Sequence, residues 1–226
     1  MDHFIAPKCR QVFDILYQDD DILLINKPSG LLSLSGKNPL NWDSVHYRLV
    51  NGQADRTPAF VNAKLVHRLD FGTSGIMIVS LNDAASKHLN QQFQQRTIKK
   101  RYIAMLDGEL SKESGQICAA IAKGKDIFPR VKICELTGKP AATDYKVLER
   151  YNSPTRTKVE FSPTTGRTHQ LRVHSLFINH PILGCDLYKN EHSEALAERL
   201  QLHASYLGFK HPTTNLPMTI HCESNF

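Results

Sequence analysis

The chain has 226 residues, 41% of them hydrophobic and 22% charged, which suits one generous domain or two small ones whose core needs no disulfide or structural metal. No apolar run approaches the roughly 20 residues of a membrane helix, and MDHFIAPKCRQVFD has neither the apolar core of a secretory signal nor the Arg/Ser bias of a transit peptide, so a soluble, cytoplasmic protein without membrane partners is expected. A net charge of +6 admits polyanionic partners, while five scattered cysteines (Cys9, Cys118, Cys134, Cys185, Cys222) with no CxxC argue against a disulfide framework and a zinc knuckle.

In chain order, FDILYQ and ILLINK (Ile22 to Lys27) read as two strands, the second closed by Pro28, Ser29 and Gly30. WDSVHYRLVN has helical spacing, with Asp43 or Asn41 available as its cap. LVHRLD extends toward the loop FGTSG, and GIMIVSLN (Gly75 to Asn82) is too short and too branched for a comfortable helix, so it reads as a strand. Asn82 or Asp83 caps DAASKHLNQQFQQR, where Ala85, Leu89 and Phe93 define one buried face and the end runs into the basic cluster RTIKKR. KRYIAMLDGEL, GQICAAI, RVKICEL, ATDYKVLERY and TKVEFSP follow as strands. TGRTHQLRVHSLFINH then shifts to helical spacing and stops at Pro181, followed by a capped helix over SEALAERLQ (Ser193 to Gln201) and two closing strands, ASYLGFKH and PMTIHCES. No repeat or Gly/Ser linker marks a boundary, so the pattern implies one α+β domain over residues 1–226, dominated by antiparallel sheet.

Three groups of residues could carry chemistry. Asp70 precedes Gly72, Thr73, Ser74 and Gly75, a loop whose glycines permit positive φ and close ligand approach, although an aspartate in such a loop commonly does no more than close an Asx turn. Strand alternation would put Arg68 on the same face, either as a plain ion-pair partner or as a phosphate contact. Tyr102 follows Lys99, Lys100 and Arg101, where either sheet packing or base stacking beside a basic cluster fits. In TGRTHQLRVH, His169 and Arg172 share a helical face and Arg167 sits in the loop before it; a buried Arg172 would need an anion, for which Asp70 is a candidate that would then stay ionised. His169, His174, His180, His203, His211 and His221 form no HExxH or other ligand spacing, and there is no GxGxxG, phosphate-binding lysine loop or GxSxG, so neither metal nor cofactor is expected.

Taken together, NKPSGL (Asn26 to Leu31), HRLDFGTSG (His67 to Gly75), KKRYIAML (Lys99 to Leu106) and TGRTHQLRVH with NHPILG resemble, in order and separation, the RluA family of RNA pseudouridine synthases from about Leu16 to the C-terminus. The resemblance implies a mixed, mainly antiparallel sheet in two halves with flanking helices and a central RNA-binding cleft. It also implies cofactor-free and metal-free isomerisation of uridine in RNA by base flipping. On it, Asp70 matches the essential aspartate, which attacks ribose C1′ or assists glycosidic cleavage. Tyr102 matches the tyrosine that stacks on the target base and is a candidate base at C2′, and Arg172 matches the basic residue paired with the aspartate. Arg68 resembles the arginine that enters the RNA in place of the flipped nucleotide. Lys27 and Pro28 match a supporting motif, and Lys99, Lys100, Arg101, Arg167 and His169 are the implied RNA contacts.

Only about fifteen residues precede the first motif, against the ~50 that a small domain needs, so no N-terminal S4 domain is expected. ELTGKPAATDY and the length resemble the compact dual-specificity branch acting on 23S rRNA and the anticodon stem-loop of tRNA, with a monomer as the default state. GCDLY (Gly184 to Tyr188) departs from the family pattern, since its aspartate falls one place late, behind Cys185. Other classes compatible with the sequence are a non-catalytic RNA-binding protein or RNA chaperone on the same scaffold and, last, a metal-dependent nuclease, which would want clustered carboxylates that the neighbourhood of Asp70 lacks.

Overall fold

The computed structural model describes residues 5–36, 38–53, 59–124 and 127–226. In chain order these form β1 (Asp14–Gln18), β2 (Ile22–Lys27), α1 (Val45–Asn51), β3 (Lys64–Leu65), β4 (Ser74–Ser80), α2 (Asp83–Gln94), β5 (Lys99–Asp107) and β6 (Ser114–Cys118). They continue as β7 (Ile121–Lys123), β8 (Val131–Ile133), β9 (Ala142–Asn152), β10 (Thr155–Pro163), α3 (Gln170–Phe177), β11 (Leu202–Lys210) and β12 (Pro217–His221). The architecture is the expected α+β, mostly antiparallel one. No helix among the described residues is long and apolar enough to cross a membrane.

The chain divides into two compact units, Met1–Lys99 with Ala204–Glu223, and Lys100–His203 with Ser224–Phe226. Both divisions fall inside strands, between Lys99 and Lys100 of β5 and between His203 and Ala204 of β11, which is why no linker composition marks them.

In the first unit β2 lies between β1 and β4, antiparallel to both, and β11 lies beyond β4 with β12 at its edge. Ile22 to Ile25 and all of β4 are buried, as their unbroken apolar runs require. With Leu207, Phe209 and Ile98 these strands make a core against Leu89 of α2, whose cap is Asn82: its side chain accepts from the Ala85 amide at 2.9 Å. The β2–β4 register ends with Lys27 opposite Gly75, which brings the NKPSG turn to the start of the strand that follows the Asp70 loop. Gly75 (φ +109) cannot be replaced there, because a Cβ would lie 2.3 Å from the Ala204 carbonyl oxygen.

In the second unit β5, β10, β9 and β6 pair antiparallel in that order, and β7 and β8 form a separate ribbon. Leu171 and Val173 of α3 join Phe161, Ala104, Ile182 and their neighbours in its core.

Several local expectations need correction. The cap of α1 is Ser44, whose hydroxyl accepts from the Tyr47 amide, and Asp43 instead pairs with Arg48 at 2.7 Å. Of the basic cluster, Arg96 follows the end of α2 and Lys99, Lys100 and Arg101 lie in β5, and GQICAAI is split between β6 and β7. Arg68 and Asp70 are not in a strand, since β3 ends at Leu65. Residues 193–201 form turns instead of a helix. Tertiary anchors override helix preference there: the Gly184 amide donates to the Ser193 carbonyl, and Gly184 (φ +68) lies so close that a Cβ would meet the Arg199 carbonyl oxygen at 2.0 Å.

Candidate active site

The Asp70 loop is built by its flanks. Its turn is closed by the main chain, the Thr73 amide donating to the Asp70 carbonyl at 3.1 Å. On one side Ser33 Oγ donates to the Leu69 carbonyl at 2.7 Å and accepts from the Leu69 amide at 3.2 Å. On the other side the Gly30 amide donates to the Phe71 carbonyl at 2.9 Å and Ser29 Oγ to the Gly72 carbonyl at 2.6 Å. The NKPSGL segment and Ser33 therefore grip the backbone immediately before and after Asp70, which is half-buried. Ser29 and Ser33 are supporting residues that the sequence reading passed over.

Lys27 completes this clamp. Its side chain is fully buried, and its ammonium donates to the carbonyls of Leu31 (2.7 Å), Pro28 (2.9 Å) and Phe71 (3.3 Å). Burial brings its pKa down to about 7, opposed by the negative charges of Cys9, when ionised, and Asp70. It therefore spans the first motif and the residue next to Asp70.

The segment before Asp70 is pinned through His67, whose Nε2 accepts from the Ile78 amide at 3.0 Å and whose ring stacks on Phe93 of α2 at 4.9 Å. Leu69 is buried and Arg68 exposed. With His67 held by its ring contacts and Leu69 buried, the guanidinium between them is left on the solvent side of the loop.

The remaining predicted residues, apart from Lys99 in the first unit, lie in the second. Tyr102 of β5 packs half-buried on that unit's core, cross-strand from Phe161. Lys100, two places earlier in the strand, lies beside the TGRTH loop, its Nζ 3.5 Å from where a Cβ on Gly166 would sit, and burial lowers its pKa. Arg101 is exposed and 3.7 Å from Glu160. Arg167 donates from Nε to the Pro140 carbonyl at 3.2 Å.

His169 is not inside the helix as expected but is its N-terminal flank, in the left-handed region at φ +52. Its Nδ1 is 2.9 Å from the hydroxyl of Tyr188, which also accepts from the Val131 amide at 2.7 Å. Arg172 is 4% exposed, and within its own unit its Nη2 bonds Asp186 while Nε and Nη2 reach Cys185 Sγ at 3.3 Å. Its guanidinium carbon lies 5.3 Å from the centre of the Tyr188 ring. The late aspartate of GCDLY is thus a working partner: Cys185 turns inward to the guanidinium and Asp186 supplies the anion.

One three-residue group, Asp19, Asp21 and His211, has ligand atoms close enough to hold a metal ion. Its atoms are already committed. His211 Nδ1 accepts from the Thr213 (3.3 Å) and Thr214 (3.1 Å) amides, so the neutral ring carries its proton on Nε2 and donates it to Asp19 at 2.9 Å. Asp21 accepts from Asn82 at 2.7 Å and from Thr213 Oγ1 at 2.5 Å. The group clasps the β11–β12 turn to the β1–β2 turn.

The family model described as RNA pseudouridylate synthase matches residues 21–176. Among curated proteins, the chain is 45% identical over 212 residues to the dual-specificity RNA pseudouridine synthase RluA of Yersinia pestis, covering 94% of this chain and 99% of that one. It is 42% identical to the protein of the same description from Escherichia coli K12, covering 94% and 93% of the two chains. The solved structure of human RNA pseudouridylate synthase domain containing 1 superimposes with a TM-score of 0.76 at 32% identity, covering 97% of this chain and 86% of that one. The chain belongs to the RNA pseudouridylate synthase family, and it is an isomerase that converts uridine to pseudouridine in RNA.

Proposed function

We propose that this chain acts on both 23S rRNA and tRNA anticodon stem-loops, in the cytoplasm and as a monomer, with residues 1–226 working as one catalytic domain. The observation that carries the assignment of its chemistry is the grip on Asp70. Lys27, Ser29, Gly30 and Ser33 all bond the main chain of Leu69, Phe71 or Gly72, so the fold spends its fixing contacts around the aspartate and none of these bonds uses the carboxylate itself.

In this reading Asp70 attacks ribose C1′ as the N1–C1′ bond of the target uridine breaks, giving an ester and a uracil anion. The ring turns, C5 attacks C1′, and the ester bond breaks to release the carboxylate. C5 loses its proton and N1 gains one, so the reaction balances as an isomerisation. Tyr102 stacks on the displaced base; a base at C2′ belongs to the alternative route, in which Asp70 assists glycosidic cleavage without bonding C1′ and the C2′ proton is removed and later returned. Arg172, already bound to Asp186, pairs with Asp70 as well and keeps it ionised. Arg68, exposed beside the loop, enters the RNA where the nucleotide left. Lys99, Lys100, Arg101, Arg167 and His169 contact the RNA, and Lys27 and Pro28 support the loop.

The test is incubation of purified protein, without added metal or cofactor, with unmodified 23S rRNA and tRNA transcripts, followed by carbodiimide mapping of pseudouridine. New sites on both RNAs are expected. Sites on one RNA alone would restrict the specificity, and salt-sensitive binding to both without any new site would overturn the dual-specificity assignment.

A further inference from the structure

The first unit also carries a cavity of about 530 Å³ lined by α2, β11 and β12, and the chemistry proposed for Asp70 does not use it. Its volume falls in the range of about 300–1,000 Å³ in which small-ligand sites are found. Phe209 and Met218 supply apolar surface, Gln91 and Gln95 amides, and Lys99 and Lys210 ammonium groups. None of the described lining residues is acidic, although the chain has 22 Asp and Glu. An acid-free lining around two lysines is complementary to an anion.

The walls are preformed. Gln92 uses both ends of its amide on Lys210, its Nε2 donating to the Lys210 carbonyl at 2.7 Å and its Oε1 accepting from the Lys210 amide at 2.9 Å, which laces α2 to the end of β11. The same NH₂ group is 3.1 Å from His88 Nδ1, and because an amide nitrogen only donates, the proton of the neutral imidazole is on Nε2. The side chains of Gln91, Gln95, Lys99 and Lys210 make no hydrogen bond or ion pair among the described residues. Donors and acceptors there are available to a ligand.

Apolar surface, amides that can bond a base edge and lysines that attract a phosphate together suit a nucleotide. Only an unpaired nucleotide exposes both its ring face and its edge to a protein. Lys99 lines the cavity and is also one of the residues proposed to contact RNA. We propose that this cavity holds an unpaired nucleotide of the RNA substrate, distinct from the target uridine. The inference rests on the RNA-modifying reading of the chain and adds to it a second point of attachment for the substrate.

The experiment compares the full-length wild type with Lys210→Glu, Met218→Trp, which fills the cavity, and Lys112→Glu, a charge-reversal control on an exposed lysine outside it. Each protein is first checked for an unchanged melting transition. Binding and turnover are measured with a tRNA anticodon stem-loop transcript, and the same RNA carrying 4-thiouridine is photo-crosslinked to the wild type for peptide mapping. Lys210→Glu should weaken binding about tenfold beyond the control, raise KM more than it lowers kcat, and reduce the slope of log K against log salt by about 1. Crosslinks should fall in peptides of α2 or β12, an outcome that requires no variant to fold. Pseudouridine formation by the wild type, with no crosslink in those peptides and with both cavity variants binding like the control, would overturn this inference and leave the proposed function standing. Failure of the wild type to bind or modify any RNA would overturn both.

Discussion

Asp70 and Arg172 are supported in opposite ways. Around Asp70, the side chains of Lys27, Ser29 and Ser33 bond the main chain on either side of it, and its turn closes through its own carbonyl. Around Arg172 the contacts run from side chain to side chain, through Asp186, Cys185 and Tyr188. The first arrangement fixes the loop through its main chain. The second makes the guanidinium part of the fold. At the first position the supports hold the backbone, whereas a residue at the second must satisfy packing and chemistry together.

The strongest way to break this contrast is Asp70→Asn. Turnover should fall by about a thousandfold or more, while the melting temperature falls less than in Arg172→Ala, because Lys27, Ser29, Gly30 and Ser33 hold the loop through its main chain. A large loss of stability in calorimetry would erase the distinction between the two sites. Arg172→Ala should instead lose both activity and about 2 kcal/mol of stability, from the vacated space and the lost Cys185 and Tyr188 contacts, read by urea unfolding. Its partner Asp186 is 65% exposed, so water can solvate the carboxylate left behind and the cost stays below that of a fully buried pair.

Lys27→Met sharpens the comparison by removing a supporter of Asp70 rather than Asp70 itself. Turnover should drop about tenfold as the Phe71 carbonyl loses one of its two donors and keeps only the Gly30 amide. Stability should respond to pH with a definite sign. Below about pH 7 the lysine is protonated in both the folded and the unfolded chain. Between about 7 and the ordinary 10.5 the folded chain binds fewer protons than the unfolded one. The wild type should therefore gain stability relative to Lys27→Met as pH rises through that window, measured by parallel denaturant titrations. A flat difference would mean that the carbonyl cage keeps Lys27 charged. The smallest effect is expected from Ser33→Ala, which removes both bonds to Leu69 and should cost about 1 kcal/mol with a severalfold loss of turnover.

The same contrast explains what was readable in the sequence. Runs buried on both faces, such as Ile22 to Ile25 and Ile76 to Val79, and the Asn82-capped face of α2 announce themselves through local pattern. The motif set was legible as a resemblance, and NKPSGL and HRLDFGTSG do meet in space. Which residue caps α1 was not legible, because Ser44, Asp43 and Asn41 are all competent and tertiary pairing with Arg48 removes Asp43 from the choice. Residues 193–201 carry good helix formers, yet Gly184 and Ser193 fix a turn through contacts between residues 9 to 15 apart in sequence. The partnership of Arg172 with Asp186 was hidden for a related reason. The shift in GCDLY looks like a defect until Cys185 is seen to turn inward and leave the next residue to meet the guanidinium.

The two unit boundaries within β5 and β11 bear on how this chain can be cut and rebuilt. A split-enzyme design parted between Lys99 and Lys100 would sever a strand whose ladder runs from Lys99 to Asp107, and one parted between His203 and Ala204 would do the same to β11. Neither piece would carry an intact edge to recombine. The β9–β10 hairpin turn, Asn152 to Thr155, lies wholly within one unit and at the surface, so inserted sequence would be accommodated there in preference to either seam.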